Sequence, residues 1–148
     1  MIGRAALSCA VLAALFMPTA GAQSVLPPNL AGLWSFEADV QSFCTFNGQA
    51  RLIPTEDPAI FDCELTAQQE CPSVDVRYVV EQSCTVEIED NVAMVQSRIE
   101  NFLEGEPTSN YVPDNFQLLI RSESHLEGIL VGVGAYPAEW RRAEGAIS

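Results

Sequence analysis

Hydrophobic and polar residues alternate along most of this chain. From Leu30 to Val40, Trp34, Phe36 and Ala38 fall on one face while Ser35, Glu37 and Asp39 fall on the other, the period of two that marks a half-buried strand. Cys44 to Ile53 repeats the pattern less cleanly, with Phe46, Ala50 and Leu52 opposed to Thr45, Asn47 and Arg51, and the Pro54–Pro58 stretch closes it as a turn. Ile60 to Ala67 places Phe61, Cys63 and Leu65 against Asp62, Glu64 and Thr66. The cleanest alternation runs from Val76 to Ile88, where Val76, Tyr78, Val80, Cys84, Val86 and Ile88 share a face and Gln82 is the polar intruder on it. Glu89-Asp90-Asn91 turns the chain into Val92–Phe102, a strand of mixed polarity with no assignable inward face. Glu104 to Asn115 is polar, carries Pro107 and Pro113 and has no periodicity, so it reads as the longest loop. A hairpin follows, Phe116–Arg121 and Leu126–Val133 across Ser122-Glu123-Ser124, and Tyr136–Arg142 supplies a last short strand.

About eight short strands joined by tight turns, with no segment that requires a long helix, predict an all-β chain built as a sandwich or an up-and-down barrel. Closure removes sheet edges that invite aggregation, and about eight strands suit a small barrel whose interior holds side chains or one small ligand. The predicted fold is therefore an antiparallel up-and-down barrel of about eight strands. Gly128, Gly132 and Gly134 fit its bent strands, where backbones approach closely. The 148 residues make one domain, with neither an internal repeat nor a low-complexity tract.

The first segment is an address. Arg4 precedes an apolar run from Ala5 to Met17, Pro18 breaks it, and Ala20-Gly21-Ala22 offers a cleavage site, so residues 1–22 are expected to be a secretory signal peptide and residues 23–148 the mature domain. The run is too short to span a bilayer, and most of it follows Cys9, which argues against a lipidated cysteine. The expected location is periplasmic or secreted. Four cysteines then remain in an oxidising context, Cys44, Cys63, Cys71 and Cys84, and two disulfides are expected. Of the three connectivities, the strand order favours Cys63 with Cys84 across one antiparallel pair and Cys44 with Cys71 across the pair before it. The spacings contain no Cys-x-x-Cys pair of the kind zinc needs.

Charge removes further classes. The chain has 20 acidic residues against 7 basic ones, all arginine, for a formal charge of −13; loss of Arg4 with the signal peptide takes −13 to −14. Such a field disfavours nucleic acid as a partner and attachment to anionic lipid. His125 is the single histidine and has no serine or cysteine companion in a nucleophile-elbow context, so the chain is not expected to be an enzyme, and no cofactor or metal is implied.

Leu30-Ala31-Gly32-Leu33-Trp34 opens the first strand and Trp140-Arg141-Arg142 closes the last. In this arrangement the chain resembles the calycin superfamily, in particular small lipocalin-like bacterial β-barrels. There a Gly-x-Trp motif marks the first strand, and an arginine near the end of the barrel lies over that tryptophan at the closed end. The resemblance carries Gly32-x-Trp34 over directly and makes Arg142 the first choice for the arginine and Arg141 the second, since alternation puts Arg142 on the face of Tyr136, Ala138 and Trp140. Guanidinium over indole seals a barrel floor by cation–π contact. The middle lipocalin motif and the helix that usually follows the barrel are not seen. The resemblance also extends to periplasmic protease inhibitors of calycin fold, whose typical members carry one disulfide.

Candidate binding residues follow from these faces. Phe36, Phe46, Phe61, Tyr78, Phe116 and Leu118 would line the interior, where they either hold a small apolar ligand at the open end or pack as core. Tyr78 and Gln82 need hydrogen-bond partners if buried. Tyr111 stands at the centre of the 104–115 loop, which either serves as a lid or binding loop or, as its composition favours, is solvated; Glu104, Glu106 and Asp114 there lack calcium-loop spacing. Two functions are expected: a binding protein that holds a small apolar ligand in the barrel, or a protein-interaction or protease-inhibitor module with a filled barrel. For the second, the proline-stiffened segment Gln23–Asn29 is the expected contact.

Overall fold

The computed structural model describes residues 26–41 and 43–143. The expected signal peptide and its cleavage site lie outside the described residues. Eight strands close into one antiparallel barrel in chain order: β1 (Gly32–Ala38), β2 (Thr45–Pro54), β3 (Ile60–Cys71), β4 (Val76–Glu89), β5 (Val92–Glu104), β6 (Asn115–Ser122), β7 (His125–Val131) and β8 (Ala135–Arg142), with β8 pairing back onto β1. A single 3₁₀ turn, Pro72–Val74, joins β3 to β4.

The alternating faces sort as their periodicity demands. Trp34, Phe36, Phe46, Ala50, Leu52, Phe61, Cys63 and Leu65 are buried, while Glu37, Thr45, Asn47, Arg51 and Asp62 are exposed. Two boundaries differ from the sequence expectation. Strand β3 continues past Ala67 to Cys71, because the polar run Gln68-Gln69-Glu70 pairs on both sides, with β2 and with β4. Strand β5 likewise runs on to Glu104. Its inward face, unassignable from polarity, begins with Ala93 and Val95. Where β4 pairs with β5, β5 carries an extra residue at Leu103 and at Glu100, opposite the steps Val79–Val80 and Glu81–Gln82, and these bulges re-aim its face.

Two ends result. At the floor, Leu30 is fully buried and accepts a 2.8 Å hydrogen bond from Trp34 Nε1. The Arg142 guanidinium lies 4.8 Å from the centroid of the Trp34 ring and donates to the carbonyls of Asn29, Ala31 and Glu123. Arg141 points outward to an ion pair with Glu139.

The middle is filled by rings. Phe36 stacks on Trp140 at 5.2 Å, and Phe116 meets Trp140 edge-on at 5.1 Å and Phe36 at 5.4 Å. Burial of each such side chain stabilises the fold by about 1.5–3 kcal/mol. The Cys63–Cys84 disulfide crosses the interior face of β3 and β4, and Cys44–Cys71 ties the β1–β2 loop to the end of β3. Both pairings are those the strand order favoured.

The opposite end is the mouth, where the β1–β2, β3–β4, β5–β6 and β7–β8 connections gather. Strand β5 pairs with β6 only from Val92 to Val95, so its remainder, on to Glu104, overhangs β6. The chain must return across this overhang to begin β6 at Asn115. That return, residues 105–114, is the mouth's lid.

Candidate functional site

The lid is solvated, as its composition predicts, from Gly105 to Asn110, but not in its second half. Tyr111 and Asp114 are buried; Asp114 is held by Gln82, the lone polar residue on the apolar face of β4, and Tyr111 is held in turn by Asp114. Gln82 Nε2 donates to Asp114 Oδ2 at 2.5 Å, and Gln82 Oε1 accepts from the Asp114 backbone N–H at 2.9 Å. Tyr111 donates its hydroxyl to the same Oδ2 at 2.7 Å. A second anchor is aromatic: Tyr78, Phe102 and Tyr111 form an edge-to-face cluster with centroids 5.3–6.2 Å apart. Gly105 begins the lid at φ +87°, with Tyr78 packed against it so closely that a Cβ there would lie 2.5 Å from the ring. These contacts outweigh the polar character of the segment, because a buried amide and a buried carboxylate must each find partners.

Electrostatics at the lid follow from burial. Desolvation pushes the Asp114 carboxyl up to about 6 from 3.8, against the opposing pull of the hydrogen bonds from Gln82 and Tyr111. Burial raises Tyr111 as well, assisted by the adjacent Asp114 charge and hydrogen bond. Among the described residues no arginine or histidine pairs with Asp114.

Beside this network lies a cleft of about 230 Å³, walled by Phe46, Tyr111, Val112, Asp114, Leu130 and Tyr136. It opens at the mouth. Larger hollows of about 790, 620 and 460 Å³ sit on the outer wall of the barrel among outward residues such as Glu37, Asn47, Gln49 and Arg121. Four exposed apolar side chains also gather at the mouth end: Phe43, Val74, Leu103 and Val133.

The sequence-predicted binding residues do not share one cavity. Phe46, Tyr111 and, through Asp114, Gln82 reach the mouth cleft. Phe36 and Phe116 are held in the ring cluster with Trp140, and Leu118 is fully buried beside them in the core. Phe61 lies opposite Pro54 and Val86, toward the floor. Tyr78 is half-buried beneath the lid. Of the two alternatives for these rings, core packing describes Phe36, Phe116 and Leu118, with a short cleft above them, as a barrel of eight strands has an interior its own side chains can fill. Leu26–Asn29, the described part of the expected contact segment, runs at the floor, where Asn29 bonds Glu123 and Arg142.

Sequence reading missed Asp114, Leu130 and Tyr136 as cleft residues. The available signal was Gln82, whose place on an apolar face demanded a polar partner, although nothing local says where that partner lies. His125 is on the outer wall, 2.7 Å from Glu139 Oε1.

No known protein family and no curated protein sequence matches this chain. Among solved structures it is similar to a de novo designed fluorescence-activating β-barrel, with a TM-score of 0.51 at 19% identity over 76% of this chain and 93% of that one. At that identity the likeness shows the fold, a closed antiparallel β-barrel, and the two disulfides are compatible with an oxidising compartment.

Proposed function

We propose that the protein is an exported, lipocalin-like barrel that binds a small molecule at its mouth, beneath the 105–114 lid. The observation that carries this reading is the mouth cleft itself. It is concave, mostly apolar and built around one buried polar network, which is the usual character of a small-ligand site. Its volume of about 230 Å³ has room for a single-ring molecule, given that a ~150 Å³ apolar cavity accepts benzene. The packed interior restricts the ligand to the mouth. The stacking of Arg142 on Trp34 supports kinship with calycin barrels, and the disulfides support export. The reading assigns the protein no catalysis, since His125 is committed to Glu139 on the outer wall.

The test is chemical-shift mapping with a neutral single-ring probe, 2-phenylethanol, on the oxidised protein. Perturbations confined to the rim loops, the lid and the ends of β7 and β8 are expected, together with their loss in Val112→Trp, which fills the cleft from the lid. Shifts on the outer wall, or none at all, overturn the proposal. A second reading, a protein-interaction module, is favoured by the apolar rim of Phe43, Val74, Leu103 and Val133; it moves the expected contact from the floor segment to the mouth.

A further inference from the structure

The cleft holds one side chain whose chemistry is unmatched. Asp114 has two oxygens with different surroundings. Oδ2 accepts from both Gln82 and Tyr111. Oδ1 accepts no hydrogen bond from a described residue, and it is not among the sealed, unpartnered side-chain atoms of the described residues, Ser97 Oγ and Trp140 Nε1. Asp114 itself lines the cleft, with Oδ1 the carboxylate oxygen that no described donor occupies. The rest of the lining is apolar or neutral, with Gln41, Gln69, Asn110 and the phenols of Tyr111 and Tyr136 as its other polar members.

We propose that the mouth cleft selects a small cationic amine, whose ammonium donates to Asp114 Oδ1 while a single-ring or similarly compact apolar body packs against Phe46, Leu130 and Tyr136. This deepens the small-molecule reading above and rests on it. Three observations converge. A largely desolvated carboxylate without a cationic neighbour is stabilised by any donor that brings positive charge, and such charge-assisted bonds are about twice as strong as neutral ones. Gln82 and Tyr111 hold the carboxylate from behind, so its free oxygen is already oriented and little is lost on binding. The strongly acidic chain, at −13 overall, draws cations toward its surface and repels anions. An anionic ligand would instead meet Asp114 with no arginine in the cleft to receive it.

Titration calorimetry at pH 7.5 with three isosteric probes tests this: 2-phenylethylamine, 2-phenylethanol and phenylacetate. The amine is expected to bind about tenfold more tightly than the alcohol, the margin of a charge-assisted over a neutral hydrogen bond, and phenylacetate not to bind. In Asp114→Asn the amine and the alcohol are expected to draw level. If the alcohol matches or exceeds the amine in the unaltered protein, the amine proposal falls and the small-molecule reading stands. If none of the three binds, both fall. A variant that fails to fold leaves the decision to the unaltered protein's pH profile. Between pH 4.5 and 7.5 Asp114, raised to about 6 by burial, is the group in the cleft that changes charge, since Gln82, Gln41, Gln69 and Asn110 do not titrate and burial raises Tyr111. Amine affinity must then rise about tenfold across that interval while alcohol affinity stays level; a level amine profile overturns the proposal.

Discussion

Gln82 and Asp114 face each other across the mouth as two ends of one closed hydrogen-bonded ring, amide nitrogen to carboxylate and backbone N–H to amide oxygen, although 32 residues separate them in the chain. The pair converts a polar loop into a lid. It also stores a pH dependence in the fold.

The Asp114 carboxyl is raised to about 6 by burial, so the folded state binds its proton more tightly than the unfolded chain does. Its stabilising contribution is therefore fully present below the unfolded value near 3.8 and is lost as pH rises through about 6. Two units correspond to roughly 3 kcal/mol. Urea unfolding of the oxidised protein against Asp114→Asn, from pH 3.5 to 8, is expected to show the difference between them change by up to that amount between pH 4 and 6.5, with the unaltered protein losing ground. A constant difference across the range would contradict the buried carboxylate.

Arg142 and Arg141 are neighbours with unequal expected effects. Arg142 lies over Trp34 and donates to three backbone carbonyls at the floor, and Arg142→Ala leaves those carbonyls and the ring uncovered, at a cost of about 2–4 kcal/mol. Arg142→Lys is expected to recover little of this, because an ammonium has no planar fork. Arg141→Ala removes an exposed ion pair worth under about 1 kcal/mol. Denaturant midpoints for the three variants check the order.

The disulfides differ in burial. Cys63 and Cys84 are both buried in the core, whereas Cys44 is half-buried in the rim. Each bridge closes a loop, of sequence separation 21 and 27 respectively, and each is expected to contribute about 3 kcal/mol. Under graded reductant the rim bridge should open first, since thiol exchange requires access. Peptide mapping after partial reduction and alkylation reads this directly; earlier alkylation of Cys63 and Cys84 would be the contrary result.

Backbone proximity makes two glycines irreplaceable. A Cβ on Gly128 would lie 2.0 Å from the Gln117 carbonyl oxygen of the paired strand, and one on Gly48 would lie 2.2 Å from the Thr66 oxygen and 2.3 Å from the Phe36 ring that covers it. Gly48→Ala and Gly128→Ala are each expected to cost about 2–3 kcal/mol or more, because both neighbours are fixed. Thermal unfolding of the pair, with Gly132→Ala as the tolerated control at 3.4 Å from Val112, tests the claim.

The period-two pattern was strong wherever one face of a strand met the core. It therefore gave the strands, their number and the cysteine pairing, since opposite inward residues on adjacent strands fall together once the register is set. It failed in β5, where the overhanging half has no second neighbour to impose a face, and at Gln68-Gln69-Glu70, where backbone pairing holds a polar run in the sheet. The Trp34 and Arg142 pair was legible through the resemblance to lipocalin-like barrels, and alternation along the last strand chose Arg142 over Arg141.

The sequence by itself determined an all-β chain with about eight strands, four cysteines in two bridges and a polar residue, Gln82, stranded on an apolar face. Only the tertiary structure decided that the rings of Phe36, Phe116 and Trp140 fill the interior, that Asp114 is the partner of Gln82, and that the remaining space lies at the mouth. The physical reason is range. Alternation is a property of neighbours in the chain, but the volume left inside a closed barrel, and the partner of a buried amide, depend on contacts between residues that meet only after closure.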